Sequence, residues 1–460
     1  MKKETMVKDM TTGNVTMLLL SFALPLFVSN ALQAVYNIVD MIVVGQFIGG
    51  AGMSAVSIGG DILNLLTFVA MGFSSAGQVL VARDVGSQRM DQVKKTIGTM
   101  FTFLLGISLL ISVGCYFIRH DILRWLNTPA ESYEFTLSYT VTCIVGLFFI
   151  YGYNIVSAIL RGMGDSRRPF LFIAIAATLN IVLDIVFVAG CGMKVFGAAL
   201  ATVISQAGSF VISLIYLYRR KESFGFDFKL KSFRIEPVAL KPLVALGIPM
   251  AIQSAAISLS KIVLMSWINL FGVVYSALAG VYNKINVVIG IVSNSFTAAG
   301  STMVGQNLGA KQYDRVPKIL KTVGFCTILI STVFTLGIVG FQDSVYHLFT
   351  SDEAVLANAY ILLIPIVLNF YGAATRSIAF SLINGSGNTK LNYAVAVLDG
   401  IISRIGIAAL LGFAVKMGCQ GFWYGDALAG FIPIVIGMCY YISWSKSKIR
   451  RKNDVKYECR

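Results

Sequence analysis

Charged residues are scarce in this sequence. They make up 13% of its 460 residues, whereas hydrophobic residues make up 56%. Soluble domains carry about 25% charged and about 45–50% apolar residues. Apolar runs of about 18 residues or more, enough to cross a bilayer as helices, recur along the chain. The composition therefore excludes a soluble globular protein and predicts an integral membrane protein.

Several signatures of catalytic and metal-binding proteins are also missing. The seven cysteines form no CxxC pair, which argues against a metal site or a disulfide framework. The two histidines, His120 and His347, lie far apart in loops. Two glycine-rich stretches, GMGDS and GSGNTK, lack Walker A spacing and are interpreted as turns. We therefore expect no enzyme, no ATP-driven pump and no bound cofactor.

Positive charge is distributed unevenly along the chain. The formal net charge is +15, and nearly all basic residues fall in alternate loops between the apolar runs. The positive-inside rule then places both termini in the cytoplasm, which requires an even number of spans. This pattern indicates a multi-pass protein of the cell membrane that binds no nucleic acid. Twelve spans are predicted near residues 17–45, 53–82, 96–118, 136–160, 169–190, 195–218, 243–270, 275–304, 319–341, 357–383, 391–415 and 420–444.

The two halves of the chain resemble each other. LPLFVSN near the start aligns with IPMAIQS after the midpoint, VARDVGS aligns with VGQNLGA, and LRGMGDSRR aligns with INGSGNTK. Each copy holds six spans, so both enter the membrane from the same side as a parallel repeat, which is typical of secondary transporters. The predicted fold is an all-α membrane protein with two six-helix lobes. The predicted boundaries are 1–218 for the N-terminal lobe, 219–241 for a basic cytoplasmic linker, 242–445 for the C-terminal lobe and 446–460 for a basic cytoplasmic tail.

Polar residues inside the spans identify the candidate site. Asp40 lies in the first span, and Asn180 and Asp184 lie one helical turn apart in the fifth. Helix rise places these residues and Thr202, in the sixth span, at a similar depth. The C-terminal copy lacks this acid pair, since Leu264 aligns with Asp40.

The chemistry of these four side chains favours ion coupling. All four offer oxygen ligands, which suit a proton or a hard monovalent cation such as Na⁺. Two neighbouring carboxylates disfavour ionisation of both at once. The alternative is a structural polar cluster that joins neighbouring helices.

Charged residues of the C-terminal lobe form a different set. Pairing within the helix bundle is their simplest explanation, and a role in choosing substrates is the alternative. Aromatic residues are too numerous to line one cavity. We expect Tyr36 and Asn37, which share a helix face with Asp40, and Tyr139, in the fourth span, to contact substrate. The C-terminal set comprises Lys261, Lys284, Arg376, Asp399, Arg404 and Asp426.

Taken together, these motifs resemble the multidrug and toxic compound extrusion (MATE) transporters. The resemblance covers nearly the whole chain and is strongest for the prokaryotic DinF-type and MepA-like branch. It depends on the 6+6 repeat, on Pro25 followed by YNIVDMIVVG, on VARDVGS with its second copy, on LRGMGDSRRP, and on GAALATVISQ from Gly197 to Gln206.

The resemblance implies a cation-coupled antiporter that exports amphipathic, often cationic, organic compounds by alternating access. Pro25 corresponds to the family's helix-bending proline. The family's proton or sodium site corresponds to Asp40, Asn180, Asp184 and Thr202. Members with a C-lobe sodium site carry a glutamate where this chain has Ile257, so a second ion site is not expected here.

Two other functions remain as alternatives. A flippase for lipids or lipid-linked oligosaccharides has a related fold, and unpaired, cavity-facing Lys261, Arg376 and Arg404 would favour it. A membrane-embedded enzyme or sensor would need convergent catalytic groups or an output domain, which the sequence does not show. The expected partners are small organic substrates and the lipid bilayer, with the protein acting as a monomer.

Overall fold

The structure is a computed structural model that describes residues 6–458, with side chains described up to residue 446. Within this range all regular structure is helical, and twelve helices are long and apolar enough to cross a membrane. This confirms the predicted all-α fold with twelve spans. The helices are α1 (Val15–Ile48), α2 (Gly50–Gly86), α3 (Met90–Phe117), α4 (Ala130–Gly162), α5 (Arg167–Gly190), α6 (Lys194–Arg219), α7 (Pro237–Asn269), α8 (Val273–Gly309), α9 (Tyr313–Gly340), α10 (Glu353–Ser386), α11 (Thr389–Ala414) and α12 (Cys419–Lys446).

Local sequence determines where several of these helices begin and end. Asn14 caps α1 by accepting a hydrogen bond from the Met17 N–H at 3.1 Å. Gly49 separates α1 from α2 at φ +84°, a backbone conformation that other residues rarely adopt. Gly387 ends α10 at φ +66°, and Asn388 caps α11. The apolar runs thus stop at residues suited to helix ends.

The chain divides into two compact units. The N-terminal unit comprises Met1–Ile252 and Gly305–Arg315, and the C-terminal unit comprises Gln253–Val304 and Val316–Arg460. Residues 219–241, the predicted linker, lie in the N-terminal unit. The chain stays helical to Glu458 after α12, but the side chains of most of the predicted basic tail lie outside the described residues.

The linker is anchored by aromatic side chains. Phe224 and Phe226 are almost fully buried, and Phe226 packs edge-on against Phe233 with ring centroids 5.3 Å apart. Phe233 in turn contacts Phe101 of α3 at 5.7 Å. Burial of these rings stabilises the linker against α3.

The repeated motifs VARDVGS and VGQNLGA meet within the N-terminal unit. A Cβ atom added at Gly86 would clash with the backbone of Gln306, and one at Gly309 would clash with the backbone of Arg83. Only glycine allows this approach of α2 to α8. The chain before α1 packs here too, since Gln306 Oε1 accepts a hydrogen bond from the Met10 N–H at 3.0 Å.

Candidate ion-coupling site in the N-terminal unit

Three helices of the N-terminal unit carry the predicted ion-coupling residues. α1 carries Asp40, α5 carries Asn180 and Asp184, and α6 carries Thr202. These helices contact one another pairwise. The packing brings four residues that are distant in sequence into one region of the unit.

The polar atoms of this region are buried and mostly unpaired. Asp40, Asn180 and Asp184 expose 5%, 2% and 0% of their surfaces. Among the described residues, no hydrogen-bond partner reaches Asp40 Oδ1, Asn180 Oδ1 or either carboxylate oxygen of Asp184. Buried polar atoms nearly always have partners, so these oxygens have the capacity to bind a proton or a cation.

The amide and the hydroxyl of the set form a hydrogen bond. Asn180 Nδ2 donates to Thr202 Oγ1 at 3.4 Å, and the Thr202 hydroxyl donates to the carbonyl oxygen of Ala198 at 3.2 Å. This use of the Asn180 amide leaves its Oδ1 available. The Asn180 and Thr202 donors thus bond within the set and to the backbone, while Asp40 Oδ1, Asn180 Oδ1 and both Asp184 oxygens stay available.

The helix geometry changes directly after Asp184. Residues Ile185–Gly190 form a π-helical segment, which has a wider turn than the α-helix before it. Such segments are rare and occur often at functional sites, because they rearrange the helical hydrogen bonds locally. Pro25 lies inside α1, and the helix continues through it.

A cavity of about 430 Å³ opens beside Asp40 within the N-terminal unit. Tyr36, Asn37 and Tyr139, the predicted substrate contacts, line it together with Asp40 and Thr202. The residues lining this cavity do not include Pro25, Asn180 or Asp184. Asp40 and Thr202 therefore belong both to the buried polar region and to the cavity wall.

Sequence reasoning missed two charged residues of this cavity. Asp61 of α2 and Arg161 of α4 both line it. The predicted fourth span, 136–160, stops before Arg161, but Arg161 lies in the last turn of α4. It donates to Gln78 Oε1 at 2.8 Å and to Ser157 Oγ at 3.0 Å. Asp61 is an intramembrane acid, and this property alone would have marked it as a candidate.

The charges of the C-terminal unit are largely paired. Asp399 Oδ1 lies 3.3 Å from Arg376 and 3.3 Å from Arg404, and Arg404 also pairs with Asp426. The predicted pairing is thus found for four of the six residues. Among the described residues, Lys261 and Lys284 have no ion-pair partner within 4.0 Å. Two of the three cations whose freedom would favour a flippase are therefore engaged.

Comparison with known proteins identifies relatives over nearly the full length. The profile of the MatE family matches residues 25–186 and 249–410, two segments that agree with the internal repeat. The "Probable multidrug resistance protein YoeA" of Bacillus subtilis is 28% identical over 438 residues, covering 94% of both chains. The "Probable multidrug resistance protein NorM" of Thermotoga maritima is 22% identical, covering 95% of both.

Solved structures share the fold. One described as "Outward-facing conformation of a multidrug resistance MATE family transporter of the MOP superfamily" superimposes with a TM-score of 0.88, covering 98% of this chain and 99% of its own, at 19% sequence identity. This likeness extends over all twelve helices of the described chain.

Proposed function

Because the chain belongs to the MatE family, whose profile covers more than half of it, we propose that it is a multidrug exporter driven by inward movement of H⁺ or Na⁺. Its substrates are small amphipathic organic compounds, often cationic. The names of its Bacillus and Thermotoga relatives, both probable multidrug resistance proteins, support this class of function.

The observation that carries the proposal is the pair of buried, unpaired carboxylates. Both oxygens of Asp184 and one of Asp40 lack a hydrogen-bond donor among the described residues. An ionised carboxylate at the centre of a membrane helix costs about 3 kcal/mol even on an insertion scale. A proton or a bound cation removes that cost, so these groups have a physical reason to take up the coupling ion.

The cavity beside Asp40 suits organic cations. Tyr36 and Tyr139 supply aromatic surface, and the Asp40 carboxylate supplies negative charge at the wall. Aromatic faces attract cations, and an acidic wall adds to this attraction. Because Asp40 belongs both to the cavity wall and to the buried polar region, a substrate cation and the coupling ion would compete for its charge.

This competition leads to transport by alternating access. Substrate binds from the cytoplasm, the coupling ion then enters from outside and neutralises Asp40 and Asp184, and substrate leaves outward. Pro25 lacks the N–H that would bond to the carbonyl of Ser21, so α1 can bend there as the ion binds. The protein acts as a monomer in the cell membrane, with both termini in the cytoplasm.

Efflux of a fluorescent organic cation from proteoliposomes tests this function. H⁺ and Na⁺ gradients are imposed separately, and we expect one of them to drive transport. Asp40→Asn should abolish gradient-driven transport, because the neutral amide takes up no proton and supplies no negative charge to hold Na⁺. The matched control is Asp61→Asn, which removes another acid from the same cavity and should leave coupling intact.

Two outcomes would contradict the proposal. Wild-type transport that depends on neither the H⁺ nor the Na⁺ gradient would exclude ion coupling. Unchanged gradient-driven transport by folded Asp40→Asn would exclude the proposed site.

A further inference from the structure

The C-terminal unit has a polar cluster on helices equivalent to those of the N-terminal site. In the internal repeat Pro249 aligns with Pro25, and the same shift places Lys261 over Asn37. Gly421 aligns with Gly197, which places Asp426 over Thr202. α7, α11 and α12, the counterparts of α1, α5 and α6, thus carry charged side chains, and Arg376 of α10 joins them.

The net charge of this cluster is positive. It contains three cations, Lys261, Arg376 and Arg404, and two acids, Asp399 and Asp426, which leaves a surplus of one positive charge. Among the described residues, the ion pairs of this cluster join the two arginines to the two acids and leave out Lys261. The one unpaired positive charge of the cluster, counted over that part of the chain, is therefore that of Lys261.

The acceptors near Lys261 are already occupied. Asp426 Oδ1 pairs with Arg404, and its Oδ2 accepts hydrogen bonds from Tyr282 at 3.1 Å and from Asn369 at 3.4 Å. Trp423 is 1% exposed, and its indole N–H finds no acceptor among the described residues. Asp399 Oδ2 also lacks a donor among these residues, but Asp399 already pairs with both arginines through Oδ1. Beside Lys261, the ammonium group and the Trp423 N–H are donors without a partner among the described residues, which calls for an acceptor or an anionic group.

A small opening lies beside Lys261 and Trp423, and the acid Asp426 also lines it. Lys261, Asn283, Trp423 and Asp426 line a space of about 20 Å³ within the C-terminal unit. This volume accommodates one water-sized group, such as a single carboxylate oxygen. A single anionic oxygen therefore fits this space better than a bulky polar group does.

The position of Lys261 in α7 makes it accessible to a ligand in water. It lies eight residues before the helix ends at Asn269, or about 12 Å along the axis, and its side chain is exposed. A charged group that faced lipid at this depth would be costly. Its ammonium group therefore faces an aqueous space.

We propose that Lys261 is a specificity-determining residue that binds a carboxylate of the exported compound, with the Trp423 indole N–H as a second donor. This inference rests on the proposed export function. It extends the substrate class from organic cations to amphipathic compounds that also carry an acidic group.

Equilibrium binding of two matched dyes tests the proposal. The probes are the free acid of a rhodamine and its methyl ester, which differ only at the carboxylate, and binding to purified protein is measured by fluorescence polarisation. A hydrogen bond to a charged group contributes about 1.5–3 kcal/mol, so Lys261→Met should weaken binding of the free acid by about 10- to 100-fold. Binding of the ester should change by less than about twofold, since it makes no such bond.

Control variants separate a direct contact from a general effect of charge. Lys284→Met removes another exposed, unpaired lysine of the same unit and should change neither affinity. Lys261→Arg should keep most of the preference for the free acid. Lys261→Gln is the second neutral variant if Lys261→Met does not fold, and thermal unfolding verifies the fold of each.

Equal loss of affinity for both dyes, or no loss for either, would overturn the proposal. The measurements are repeated with gluconate in place of chloride. An effect of Lys261→Met that required chloride would assign the lysine to an inorganic anion and would likewise overturn it. Because binding is measured without a gradient, its outcome is independent of whether ion-driven export is found.

Discussion

Replacing Arg404 with methionine tests the energetics of the buried charges in the C-terminal unit. Arg404 is only 2% exposed and pairs with both Asp399 and Asp426. Methionine keeps much of the apolar stem but removes the guanidinium. Among the described residues, Asp399 then retains Arg376 as its ion-pair partner, and Asp426 retains hydrogen bonds from the neutral side chains of Tyr282 and Asn369.

The expected loss is large because the partners remain buried. Breaking a buried ion pair by removing one partner costs about 3–5 kcal/mol, most of it from the uncompensated charge left behind. We therefore expect Arg404→Met to lower the free energy of unfolding by about that amount. The assay is denaturant-induced unfolding in detergent micelles, followed by tryptophan fluorescence.

A surface pair provides the matched control. Arg124 lies 3.7 Å from Asp121, with both side chains more than half exposed, and exposed pairs of this kind contribute about 1 kcal/mol or less. Arg124→Met should therefore have little effect. Adding Asp426→Asn to Arg404→Met should recover part of the loss, since it removes the stranded charge. An effect of Arg404→Met as small as that of Arg124→Met would refute this reasoning.

Three further predictions concern the helix crossing, the chain before α1 and the polar region. Gly86→Ala should destabilise the protein by about 1–3 kcal/mol in the same unfolding assay, because the added Cβ would clash with the backbone of α8. The control is Gly106→Ala, which has open space around it and should be neutral or stabilising. Burial alone would raise the pKa of Asp9, but hydrogen bonds from two threonine side chains and a backbone N–H hold it below its usual value. The stability that Asp9 contributes is therefore present above its unfolded-state pKa and lost as pH falls through its folded-state pKa. Between about pH 6 and about pH 3, the thermal unfolding temperature of Asp9→Asn should therefore fall less than that of the wild-type protein. Thr202→Val removes the acceptor of the Asn180 amide, and efflux assays should show weaker ion coupling.

The twelve helices were predictable because hydropathy, loop charge and the repeat all report the same property, the alternation of apolar spans with polar loops. The placement of Asn180 and Asp184 on one face followed from helix period alone. Their approach to Asp40 and Thr202 required packing of α1, α5 and α6, which the similar depths of the residues indicated in advance. These features depend on local spacing and on membrane depth.

Other features depend on how neighbouring helices are rotated and could not be read from spacing. The π-helical segment after Asp184 breaks the regular period without a sequence signal such as proline. Arg161 follows the predicted fourth span and adjoins a charged turn, yet it lies in the last turn of α4 and lines the cavity. Likewise, Lys261 and Arg404 are both cations within apolar runs, and only packing shows that Arg404 is paired and Lys261 is not.

The most direct test of the proposed ion-coupling site is the dependence of substrate affinity on the coupling ion. Binding of a fluorescent organic cation to purified protein is measured over a range of H⁺ and Na⁺ concentrations. If Asp40 and Asp184 bind the ion that displaces substrate, rising ion concentration must weaken binding in the wild-type protein, and by reciprocity substrate must weaken ion binding. In the double variant Asp40→Asn, Asp184→Asn this dependence should disappear while some substrate binding remains. An undiminished dependence on the ion in the folded double variant would contradict the account.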